Sequence, residues 1–186
     1  WSDGEKVKAQ DFVYGIQRLE DPATASEYAF IGMIIKNADK VNSGELPVEE
    51  LGVSAPDEST VVITLEHPAS YFLAMLSNAS FAPTRQDLVE KYGKDFAAEP
   101  ENNVYNGPFK VSKWAHGDRI TLAKNDKYWD TDSIKLDEVE VLTVQEQATA
   151  VAMFDSGDLD FADVPTSLSA NYKDKTISYY DGANDY

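Results

Sequence analysis

The chain has no cysteine, only two histidines, and half as many basic as acidic residues: 16 Lys and Arg against 33 Asp and Glu, a net charge of −17. Each shortage removes a class of function. Without cysteine there is no disulfide, no thiolate metal site and no cysteine nucleophile, a composition at ease outside the cell, where stray thiols oxidise. His67 sits at a strand end in Glu66-His67-Pro68 and His116 in a hairpin turn. Neither has a second histidine at ligand spacing, so no zinc site is expected. The acidic surface repels phosphate backbones and anionic membrane faces, which argues against a nucleic-acid partner. No window approaches the ~20 apolar residues of a membrane span.

Catalytic and phosphate-binding words are also missing. Neither G-x-G-x-x-G, G-x-x-x-x-G-K-S/T nor G-x-S-x-G occurs. Asp130, Asp132 and Asp137 invite a calcium-loop reading, but the positions that need a ligand, a glycine and a glutamate hold Ile134, Lys135 and Val141. Asp155, Asp158 and Asp160 miss the pattern as well. A carboxylate pair for sugar hydrolysis cannot be assigned by spacing, and acidic runs read first as solvated faces. No catalytic residue, metal ligand or cofactor is expected.

What is present is an ordinary globular composition over 186 residues: 42% apolar, 26% charged and 11% aromatic, with ten tyrosines. Phe12, Val13, Ile16 and Leu19 recur at helical spacing and predict a helix over 9–20, stopped by Asp21-Pro22. Tyr28, Ile31, Ile34, Ile35 and Ala38 predict a second helix over 26–41. The β-branched run 59–66 predicts a strand, paired with Leu51-Gly52-Val53-Ser54 across a tip at Asp57-Glu58. Residues 69–77 read as a short buried helix and 86–93 as a helix ending at Gly93. The second half alternates: strands over 109–114, 119–124 and 136–144, a helix over 145–155 stopped by Ser156-Gly157, a short strand at 159–161, a helix at 166–173 and a last strand at 176–180. The class is mixed α/β (α+β). The shift of periodicity near Pro83-Thr84-Arg85 predicts two modules, 1–84 and 85–186.

The chain opens Trp1-Ser2-Asp3-Gly4, a turn with nothing before it, and stops at Tyr186 among aromatics, which reads as a segment of something longer and non-enzymatic. The words themselves go further. Trp1-Ser2-Asp3-Gly4, Val7, Ala9 and Asp11-Phe12-Val13-Tyr14 resemble the extracytoplasmic solute-binding proteins of family 5, the peptide-binding components of ABC importers. In the same order follow Asp21-Pro22-Ala23-Thr24-Ala25-Ser26 with Tyr28, Leu51-Gly52-Val53, and Thr64-Leu65-Glu66 with Pro68 and Tyr71-Phe72. Tyr105-Asn106-Gly107-Pro108-Phe109, Asn125 with Tyr128-Trp129-Asp130, and Ser156-Gly157-Asp158-Leu159-Asp160 complete the series. The likeness covers nearly the whole chain and is closest to the oligopeptide-binding branch.

That resemblance implies a bilobal fold closing on a ligand, of which this chain holds a small inserted domain (1–84) and part of a ligand-binding lobe (85–186). It implies an oligopeptide ligand, importer membrane subunits as partners, no cofactor, and an extracytoplasmic place as a surface lipoprotein or periplasmic protein. Another solute (a signalling peptide, nickel or haem) is the alternative within the family, and a carboxylate-dependent hydrolase the alternative outside it. Tyr28 corresponds to a cleft-lining tyrosine, while its place on the apolar face of the second predicted helix also allows a core role. Phe161, Ala162, Asp163 and Val164, before Pro165, correspond to a segment that holds extended peptide through its main chain. The W-S-D-G, Y-N-G-P-F and Y-W-D words are expected to be structural, their aromatics filling the core.

Overall fold

The computed structural model describes residues 1–175, so the strand expected at 176–180 lies outside the described residues. The described residues divide into two compact units, Trp1–Trp114 with Leu122–Val139, and Ala115–Thr121 with the described residues from Glu140 onward.

In the first unit, helix α1 (Ala9–Glu20) is the spine. Asp11 starts it: one carboxylate oxygen accepts both the Lys8 main-chain N–H and the Trp1 indole N–H, each at 2.9 Å. An orphan donor of the first turn and a buried aromatic are satisfied by one acid. Val13, Ile16 and Leu19 point into the core with Ile35, Val41 and Leu51.

The helix expected over 26–41 is not one helix. Residues Ala29–Gly32 make a 3₁₀ turn, Ile35 bridges to Leu65 as an antiparallel strand pair, and α2 (Ala38–Asn42) begins only after Asn37, which has φ +67°. The cause is tertiary. Lys36 donates its N–H to Thr64 O and accepts from Gly52 N–H, both at 2.8 Å. Three isoleucines in five positions suit a buried strand as well as a helix, and the waiting partners decide.

Strands β1 (Val53–Asp57) and β2 (Thr60–Ile63) form the expected hairpin, with Val53 opposite Ile63 and Ser54 opposite Val62. The register shifts between Ser54 and Asp57, around Pro56, which has no N–H for the ladder. The short α3 (Phe72–Met75) buries Phe72, and α4 (Gln86–Tyr92) stops at Gly93.

A separate sheet of order β3-β4-β5 comprises Phe109–Ala115, Arg119–Lys124 and Glu138–Leu142, as expected. The division between the units falls within this sheet, whereas the sequence placed its boundary at Pro83-Thr84-Arg85.

The second unit carries α5 (Gln147–Ser156), closed by Gly157 at φ +85°. Asp158 N–H returns to Met153 O at 2.8 Å, which satisfies a terminal carbonyl. Gly157→Ala is expected to lower stability by about 1 kcal/mol, because a Cβ strains the left-handed backbone even in open space. Urea titration reads this, and an unchanged midpoint would contradict it. The strand expected at 159–161 and the helix at 166–173 are not formed. Residues 159–161 have no pairing strand among the described residues, and 166–173 holds only a 3₁₀ turn at Ser169–Asn171.

Candidate functional site

The loop after α1 delivers Tyr28 to the surface. Asp21 folds the chain back twice: its carboxylate accepts Ala23 N–H at 2.9 Å and its carbonyl accepts Thr24 N–H at 2.9 Å. Ser26 Oγ then accepts Tyr28 N–H at 3.3 Å. Short polar side chains bonding their own backbone are the physical content of the Asp-Pro-Ala-Thr-Ala-Ser word. Tyr28 ends up 55% exposed, its ring stacked on Phe30, itself 66% exposed, at 6.0 Å and 29°. The core reading of Tyr28 is therefore wrong: with no helix over 26–41, it has no apolar face to occupy. Phe30 was not singled out from the sequence, and its one signal was the i, i+2 spacing from Tyr28.

Residues 161–164, in the second unit, form no helix, strand or turn, with Phe161 and Asp163 exposed and Ala162 and Val164 half-buried. Phe161 is 73% exposed. Among the described residues nothing donates to or accepts from the main chain of 161–164. Main-chain N–H and C=O groups without a protein partner can pair with an added strand.

Two further clusters in the first unit are structural. Arg85 donates to both carboxylate oxygens of Asp87 and to Asp3, all at 2.8 Å, and lies over the Trp1 ring at 6.0 Å. The paired hydrogen bonds from Arg85 hold the Asp87 carboxyl below the usual range, and the Arg85 guanidinium is pushed above its own. A cavity of about 350 Å³ opens here, lined by Trp1, Arg85, Phe96, Tyr105 and Phe109 among others. Its one cationic side chain, Arg85, is already paired with two acids. Sequence reading missed this cluster because Asp3 and Arg85 lie 82 positions apart.

The second cluster centres on Asn125, 1% exposed. Its amide donates to Gly107 O at 2.8 Å, its side-chain oxygen accepts Lys127 N–H at 3.1 Å, and its main-chain N–H reaches Pro108 O at 2.8 Å. The Tyr-Asn-Gly-Pro-Phe and Asn…Tyr-Trp-Asp words are thus one hydrogen-bonded unit, as a structural reading expects. Trp129 departs from it: at 84% exposed it fills no core, and it tilts against Tyr128 at 5.7 Å. Among the described residues no group of three acids or histidines is placed to hold a metal ion, and no helix is long and apolar enough to cross a membrane.

Residues 1–185 match the family described as bacterial extracellular solute-binding proteins, family 5 (middle). The chain is similar to the dipeptide-binding protein DppE of Bacillus subtilis, 40% identical over 94% of this chain and 32% of that protein. It is similar to the periplasmic oligopeptide-binding protein OppA of Salmonella typhimurium, 38% identical over 93% of this chain and 32% of the relative. The fold matches the substrate-binding domain of an oligopeptide ABC transporter from Bacillus anthracis with TM-score 0.88 and 44% identity, over 94% of this chain and 34% of that one. The chain spans about a third of the length of these relatives. With a match over essentially its whole length, this chain belongs to family 5 of the bacterial extracellular solute-binding proteins.

Proposed function

We propose that this chain carries part of the peptide-holding surface of an ABC-importer substrate-binding subunit, working outside the cytoplasm as a surface lipoprotein or periplasmic protein. The observation that carries the reading is Tyr28, which the Asp-Pro-Ala-Thr-Ala-Ser loop holds out to solvent against Phe30. A tyrosine so placed offers an apolar ring and a wet hydroxyl to the same ligand. The open main chain of 161–164 supports a second element of the reading. Main-chain pairing binds any extended peptide, because every peptide offers the same groups, and side chains add selectivity. Phe161, Ala162, Asp163 and Val164 are assigned this role. We assign no catalytic role to any described residue, and in this reading the subunit binds without turnover and without a cofactor, passing its cargo to the importer's membrane subunits.

Within the longer fold we assign residues 1–84 to a small inserted domain and 85–186 to the ligand-binding lobe. The separation of the β1-β2 hairpin from the β3-β4-β5 sheet supports this. The relatives are about three times as long, so most of the enclosing surface belongs to sequence outside this segment. One wall buries less of a ligand at ~25 cal/mol per Å² and leaves its charged amino terminus in water.

Titration of the 186-residue chain with mixed tri- to octapeptides, read by amide chemical shifts, tests the proposal. Saturable shifts are expected at 161–164 and around Tyr28, with affinity weaker than micromolar and lowered about tenfold by Tyr28→Ala. Peptide cleavage would move the reading to a hydrolase. Peptide-independent spectra at both places would end the assignment of Tyr28 and 161–164 as peptide contacts.

A further inference from the structure

Glu20, the last residue of α1, is 0% exposed, and neither carboxylate oxygen has a hydrogen-bond partner among the described residues. Its position is unusual in a second way. A Cβ on Gly32 would lie 1.9 Å from Glu20 Oε1, so the carboxyl occupies the space a side chain at 32 would fill. The Ala29–Gly32 turn, which carries Phe30 and follows directly from Tyr28, lies against an unpaired acid.

Among the described residues no neighbouring charge compensates it. The elements packed on α1 are the 29–32 turn, α2, the 48–50 turn, the β1-β2 hairpin and the 79–81 turn. The 29–32 turn, the 79–81 turn and β2 hold no ionisable residue. Asp39 and Lys40 on α2, Glu49 and Glu50 at 48–50 and Asp57 on β1 are the ionisable groups of the others, and none contributes to the titration of Glu20. Burial alone pushes its carboxyl up to about 7.

We infer that Glu20 is a protonation-controlled latch for the 28–33 turn: neutral, it fills the hollow at Gly32 and seats the turn, and ionised, it displaces the turn to reach water. A lone carboxylate cannot stay dry in an apolar site, so either the proton or the packing must yield. The element free to yield is the turn. Its entry loop already holds Ala25 at φ +50°, and its bonds are few, chiefly Ile31 N–H to Tyr28 O at 3.1 Å and Ile35 N–H to Gly32 O at 2.9 Å. The sign follows from proton linkage. The folded carboxyl holds its proton to about pH 7 while the unfolded one releases it near 4.5, so the seated turn is favoured at low pH and loosens as pH rises through that window. The presentation of Tyr28 becomes pH-dependent, and only this last consequence rests on the peptide reading.

Amide hydrogen exchange on the 186-residue chain tests the latch without any ligand. Protection at Ile31 and Ile35, corrected for the intrinsic pH dependence of exchange, is expected to fall between pH 4.5 and 7.5 by a factor on the order of 100, while Ile16 in mid-α1 keeps its protection. Glu20→Gln should flatten that profile, and Glu20→Leu gives the same test with an apolar side chain should the amide fail to pack. A wild-type profile flat in pH, a loss at Ile16 as large as at Ile35, or a pH-dependent loss persisting in whichever variant folds would each overturn the inference.

Discussion

Gly52→Ala is expected to cost about 3–5 kcal/mol, a large share of the 5–15 kcal/mol that holds a domain together. Gly52 is the meeting point of three chain segments. Its N–H donates to Lys36 O at 2.8 Å, Lys36 N–H donates to Thr64 O at 2.8 Å, and Thr64 N–H donates back to Gly52 O at 2.7 Å. The ring closes only because position 52 has no side chain. An added Cβ would meet Lys36 Cβ at 2.7 Å and Thr64 O at 2.8 Å. The obstruction includes a backbone carbonyl, so no rotamer change relieves it. Relief requires parting the segments, which lengthens the three bonds and opens the core at Leu51, Val53 and Ile35, all buried. Gly107→Ala is the control: Gly107 also sits in a family word, but nothing lies within 4 Å of its would-be Cβ. That change is expected to stay under about 1 kcal/mol. Urea unfolding of both variants decides, and equal costs would mean that the three-segment junction is not what makes Gly52 necessary.

The same junction shows where the sequence stops being readable. Helix α1 was legible to the residue because its information is local: apolar positions at 13, 16 and 19, an acid in the first turn and a proline just after. Helices α4 and α5 were legible for the same reason, through Gly93 and Gly157. Residues 26–41 were not, because their conformation is set by partners at 52 and 64, and Ile31, Ile34, Ile35 and Ala38 satisfy helical spacing while serving a bridge. A strand at 159–161 failed in the opposite direction, since local β propensity makes no strand without a pairing neighbour. At the candidate site, the helix stop at Asp21-Pro22 could be read in advance, but the exposure of Tyr28 could not, because the sequence placed it on a helix that does not form and left cleft and core roles both open. The stacking of Tyr28 on Phe30, the wedge of Glu20 against Gly32 and the Asp3–Arg85–Asp87 cluster could not either, because each depends on which segments the fold brings together.

Asn125 puts this distinction to a second, chemical test. Asn125→Ala is expected to lower stability by about 2–4 kcal/mol. The lost amide leaves Gly107 O without its 2.8 Å donor and Lys127 N–H without its 3.1 Å acceptor, whereas Tyr105 O keeps the Ser2 N–H at 2.7 Å. Two stranded groups at ~1–3 kcal/mol each, partly relieved by water, give that range. Asn125→Asp is the sharper experiment. It preserves shape and the acceptor for Lys127 but replaces a donor facing Gly107 O with an oxygen. At pH 7 an ionised aspartate would face a carbonyl from a site 1% exposed, so this variant should be less stable than the alanine. Protonation restores a donor, and burial raises the folded-state pKa above the unfolded value of ~3.9. The folded state then binds the proton more tightly than the unfolded one, so the deficit relative to wild type should shrink as pH falls from 7 toward 4. The alanine variant has no such proton and its deficit should stay level. Melting temperatures of the three proteins across that range decide. Parallel curves for Asp and wild type would show that the Gly107 carbonyl is satisfied by something other than the Asn125 amide, and the joining of the two sequence words through one side chain would be wrong.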